Sequence, residues 1–215
     1  MTEQEWITNS EWYLLLNHIN GKVSDRKLRL FACACCRQIW SKIADPRIRN
    51  AVIVTERFAD GDVTLDEMHT ATSTALRARD IYESPTSDED RLKFIREAIW
   101  ASSAARSSTR SIAKEAAEMA SSAAIHAGGK FNLQIIRDLV GNPFRTHSYQ
   151  SLPKTQTILQ LAQSMYADRD FIAMPILGDA LEEAGCSNEE ILRHCRSNQE
   201  HYRGCWVVDL ILGKE

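Results

Sequence analysis

Apolar residues recur at steps of three and four from one end of the chain to the other, and no stretch of useful length alternates apolar and polar side chains. The pattern is that of helices. Its densest part is SDRKLRLFACACCRQIW at 24–40, where Leu28, Phe31, Cys35, Ile39 and Ile43 share a face with Trp40 beside them. Helix-start signals cut up the remainder. Thr8-x-x-Glu11, Thr64-x-x-Glu67 and Ser187-x-x-Glu190 have capping-box spacing, in which a hydroxyl and a glutamate satisfy each other's free amides. Asp45-Pro46 supplies an N-cap followed by proline at the first helical position. Stop signals fall at Gly61, Gly128-Gly129, Gly141 and Gly185.

The longest predicted element runs from Ser87 to Ala127, and as one helix it is about 60 Å long. Ser87 is its expected N-cap, with Asp88, Glu89 and Asp90 at the positive end of the macrodipole. Ile95, Ala98, Ser102, Ala105, Thr109, Ile112, Ala116, Met119 and Ala123 form an uncharged seam of mainly small side chains. Such a seam buries little area per turn, so it needs the close approach of a partner helix. The Ser84-Pro85 turn makes 64–82 the expected mate of its first half, whereas the second half has none evident. The reading is an all-α multi-helix bundle with a long alanine/serine-rich helical hairpin, about nine helices in one domain over 1–215. Residues 1–62 form the N-terminal helices, 63–128 the hairpin, and 130–215 the C-terminal helices that pack back on the N-terminal part.

Composition narrows the class. With 44% hydrophobic residues the chain can build a sizeable core, and a formal charge of −3 gives no general attraction for polyanions. Arg26, Lys27 and Arg29, or the Arg106/Arg110/Lys114 row, could follow a phosphate backbone, but a solvated helix face explains them better, and nucleic acid is not the expected partner. No run approaches the ~18 apolar residues of a membrane span. The acidic start MTEQEWITNSEW lacks a secretory pattern, so a cytoplasmic location is expected.

Two readings of the cysteines stay open. Cys33, Cys35 and Cys36 lie within one predicted helix, where disulfides among them would be strained. With Cys186, His194, Cys195, His201 and Cys205 they are either small buried thiols or metal ligands. Cys33 and Cys36 share a helix face, and His201 and Cys205 would do so if helical, which gives a Cys₃His zinc set joining the two ends of the chain. Against this, the C-x-x-C pair lies mid-helix rather than on a turn. No G-x-S-x-G, H-E-x-x-H or Walker-type loop is present, and His18, His69, His126 and His147 are scattered. No catalytic, cofactor-binding or metal residue is therefore assigned, and no cofactor is expected.

The chain resembles a family of planctomycete (Gemmata-type) helical proteins and domains with no attached activity. The resemblance is carried by SDRKLRLFACACCRQIW (24–40), AVIVTERFADG (51–61), GNPFR (141–145), PILGDALEEAGC (175–186), ILRHCR (191–196) and RGCWVVDLILGKE (203–215). It implies a bacterial source and an alanine-rich middle, and brings no substrate or cofactor. The expected function is a non-enzymatic protein–protein interaction or scaffold module, self-associating through the 64–127 hairpin. The alternative is a zinc-stabilised or thiol-based regulatory protein built on Cys33, Cys36, Cys186, Cys195, His201 and Cys205.

Overall fold

The computed structural model describes residues 1–82, 117–118, 133–145 and 152–214. Ten α-helices and one 3₁₀ turn occur among them, with no strand. All-α is the fold class. Helices α1 (Glu3–Thr8), α2 (Trp12–Ile19), α3 (Asp25–Gln38), α4 (Pro46–Ala59) and α5 (Leu65–Tyr82) come first. They are followed by α6 (Leu133–Val140), α7 (Gln156–Asp168), α8 (Met174–Glu183), α9 (Glu189–Cys195) and α10 (Trp206–Leu212). The 87–127 helix, its seam and its pairing with 64–82 lie outside the described residues except at Ala117 and Glu118, which are helical.

Two of the four signalled starts form as expected, and Ser24 caps a third helix. Ser24 accepts from the Lys27 amide, Asp45 accepts from the Arg47 amide ahead of Pro46, and Thr64 and Glu67 cap each other reciprocally. Two boxes shift. The N-terminal box is Thr2/Glu5, and Thr8 instead closes α1, its hydroxyl donating to the Gln4 carbonyl. At α9 the cap is Asn188 rather than Ser187, its Oδ1 accepting from the amides of Glu190 and Ile191. An Asx cap one residue along reaches both amides, which a serine hydroxyl at 187 does not.

The chain divides into two compact units. The first comprises residues 16–132. In it α3 is buried along 28–36, and α4 packs between α3 and α5. Arg37 holds the buried Glu56 carboxylate by two bonds of 3.0 and 2.8 Å while its guanidinium stacks on Trp40. Arg26 pairs with Asp60 at 2.8 Å, and Arg29 is buried over the Phe58 ring, so these cations serve packing rather than an open phosphate-tracking surface. Met68, Thr72 and Ala75 of α5 are buried, and Leu65 is exposed.

The second unit joins residues 1–15 to 133–215. Its core draws Ile158 and Met165 from α7, Leu177 and Leu181 from α8, Ile191 and Cys195 from α9, and Val207, Val208 and Ile211 from α10. The C-terminal helix α10 is thus buried along most of its length. No described helix is long and apolar enough to cross a membrane.

Candidate metal centre

Helix α6 is two turns long and buries Ile135, Ile136 and Leu139. At about 100° per residue Asp138 lies some 60° from Ile135, on the flank of that apolar arc, so its carboxylate is carried inward and is fully buried. Opposite it, α9 ends at Cys195 and the chain returns through Gly204, whose φ of +94° suits the turn into α10. His194 comes from the last turn of α9, His201 from the returning loop, and Cys205 from the residue that opens α10.

These four side chains converge. His201 Nδ1 donates to Asp138 Oδ1 at 2.6 Å, and His194 Nε2 lies 3.3 Å from the same oxygen. Cys205 Sγ is 3.1 Å from His194 Nε2 and 3.9 Å from His201 Nδ1. All four donor atoms fall within 4.8 Å of one another. Zinc at 2.0–2.3 Å from nitrogen, oxygen and sulfur would space tetrahedral donors by roughly 3.3–3.7 Å, so small movements bring this set to that geometry. Neighbouring groups hold Asp138 and His194, whereas the buried His201 Nε2 has no hydrogen-bond partner among the described residues. The Tyr202 amide donates to Asp138 Oδ2 at 2.8 Å, leaving Oδ1 to face the cluster. Trp206 Nε1–H and the Gln199 side-chain amide meet His194 Nδ1 at 3.2 and 3.0 Å.

The hydrogen bonds specify protons. An indole N–H only donates, so His194 Nδ1 accepts from Trp206 and its Nε2 carries the proton toward Asp138 and Cys205. Ligation through Nε2 would move that proton to Nδ1, where Gln199 can accept it by turning its amide oxygen inward while the indole swings aside. Burial by itself would raise the Asp138 carboxyl, but the bonds and charges of His194 and His201 outweigh it and hold it below the usual carboxylate range. Burial, and then the Asp138 charge, push the Cys205 thiol well above its ordinary value. A dication changes this balance. One carboxylate, one thiolate and two neutral imidazoles neutralise a +2 ion, so the loaded site carries no net charge into the core. The mixture of sulfur, nitrogen and oxygen donors suits zinc and not magnesium or calcium, which prefer oxygen alone.

The gathered set differs from the Cys₃His grouping drawn from the sequence. His201 and Cys205 are in it, although His201 precedes α10 rather than lying on it. Cys33 and Cys36 are not members. The Cys33 thiol sits 3.8 Å from the Val52 carbonyl, and burial followed by the Glu56 charge keeps both thiols protonated, that of Cys36 pushed up to about 12. Cys186 and Cys195 pack in the apolar core, where burial pushes Cys195 to about 12. Asp138 was not singled out by sequence; the signal was a charge on the flank of the Ile135–Leu139 arc. Comparison with protein families, curated proteins and solved structures finds no match to this chain.

Proposed function

We propose that this protein is a non-enzymatic regulatory module whose C-terminal unit is held together by zinc at Asp138, His194, His201 and Cys205. The observation that supports it is the convergence of those four donors, charge-balanced for a dication, with Asp138 and Cys205 buried and the two histidines partly so. Four protein ligands leave no open position for substrate, which is the arrangement of structural rather than catalytic zinc. The ion would tie α6 to the α9–α10 connection and so add folding free energy to a small unit.

The setting is part of the same proposal. Six free, buried cysteines favour a reducing, cytoplasmic environment. The resemblance to the planctomycete helical domains favours a bacterial one, and His194 and Cys205 fall within two of the strings that carry it. What the module engages is another protein or a second copy of this chain, in keeping with its lack of catalytic motifs.

Elemental analysis of the purified full chain tests the reading. One zinc per chain is expected, with a melting temperature that falls on chelation and recovers on zinc addition. Cys205→Ser should weaken zinc binding by more than about 100-fold, since even loss of an outer hydrogen-bond partner costs 10–100-fold. Zinc-free protein that neither takes up the ion nor changes its melting in chelator would overturn the proposal.

A further inference from the structure

We propose that occupancy of the Asp138 cluster controls the docking of the N-terminal segment, residues 1–15, onto the C-terminal unit. The inference rests on the zinc reading above. Two neighbouring residues of α6 carry it. Asp138 faces the cluster; Arg137, about 100° around the helix, grips the N-terminal segment. Its guanidinium donates to the Trp6 carbonyl at 2.9 and 3.2 Å and to the Asn9 carbonyl at 2.8 Å. Those carbonyls belong to the end of α1, where helix acceptors lack intrahelical partners. The residues that follow α6 extend the grip: Asn142 Nδ2 donates to Glu3 Oε1 at 2.7 Å, and Arg145 pairs with the same oxygen at 2.5 Å.

A second connection runs from the other side of the cluster. Trp206 adjoins Cys205 and donates to His194, and its ring packs on Gly141 so closely that a Cβ there would lie 3.0 Å from the indole. Trp206, His194, Gly141 and Arg137 then form a cleft of about 420 Å³ with Trp6 and Ile7 of α1. Of the residues that seat the N-terminal segment, Arg137 adjoins Asp138, and Trp206 adjoins Cys205.

The physical coupling follows from the size of α6. A helix of eight residues is not stable alone, so its position depends on what holds its faces. Zinc would fix one face through Asp138, and α1 fixes another through Arg137. Each contact therefore favours the other, and by linkage the factor is the same in both directions. Zinc should slow exchange of the amides around Trp6 and Asn9, and docking of 1–15 should tighten zinc binding.

Hydrogen exchange on the full chain, with zinc added or chelated, reads the first effect. Chelation is expected to lower protection of the α1 amides by roughly tenfold, within the usual range of such couplings. Arg137→Ala, which touches no ligand atom, should loosen α1 in the presence of zinc and weaken zinc binding by a similar factor. Arg137→Lys, which keeps the charge and loses the fork, should fall between. Far-UV circular dichroism identifies any variant that has lost its helices, and the wild-type comparison stands without variants. Failure to bind zinc would sink both readings. Zinc bound stoichiometrically with α1 exchange unchanged, or an Arg137→Ala chain that binds zinc as tightly as the parent, would sink the coupling alone.

Discussion

At Cys205 the requirements of the core and of a metal ligand oppose each other. Burial and the adjacent Asp138 charge favour the thiol, whereas zinc binds the thiolate. The ion must therefore displace the thiol proton. Because the loaded form then holds one proton fewer than the free form, raising the pH favours loading. Above neutrality, zinc affinity measured by competition with a chromophoric chelator should rise about tenfold per pH unit. In Cys205→Ser the affinity should fall and that slope flatten. An equal slope in the two proteins would mean that the displaced proton belongs elsewhere. Asp138 answers the reverse demand: its neighbours hold it ionised, so it is ready to ligate without giving up a proton.

The helices that carry the site are short, and their ends decide where its side chains go. Gly141 ends α6 at φ +69° and lies against Trp206, while Gly185 ends α8 at φ +96° with nothing within 4 Å of the place a Cβ would occupy. Alanine at either place incurs the left-handed backbone cost of about 1–2 kcal/mol. Gly141→Ala must in addition displace the indole that bonds His194. Thermal unfolding should therefore show Gly141→Ala as the more destabilised of the pair. Matching effects would mean that the Trp206 ring yields to a Cβ at position 141 without cost.

Across the whole molecule the two units differ in what holds them. The unit of residues 16–132 relies on a helix buried along most of its length and on pairs such as Arg37–Glu56, with no metal-ligating cluster of its own among the described residues. The unit of residues 1–15 and 133–215 contains the entire Asp138 cluster. A ligand that binds only the folded form at 1,000 times its dissociation constant adds about 4 kcal/mol, which for a domain near 100 residues shifts melting by roughly 15–30 °C. Chelation should therefore lower the transition of the second unit by about that much. Exchange in α3 and α4 should stay as it was. A uniform loss of protection through α3 and α4 would show that the ion stabilises the chain by some other route.

The sequence by itself determined the helical class and several helix ends, because a capping oxygen, a proline at the first turn and a 3.6-residue apolar period act over a few neighbouring residues. Asp45, Thr64 and Gly185 could be read that way; the misplaced box at α9 took Ser187 for the adjacent Asn188, and the one at the N-terminus took Thr8 for Thr2. Those rules also gave α6 its apolar arc without giving Asp138 a purpose. The pairing of Asp138 with His201 spans 63 residues and depends on how α6, α9 and α10 pack. For the same reason Cys33 and Cys36, equally spaced as ligands on paper, became core thiols once α4 covered them. Only the tertiary structure selected the four donors, since a metal centre is defined by distances that no local pattern encodes.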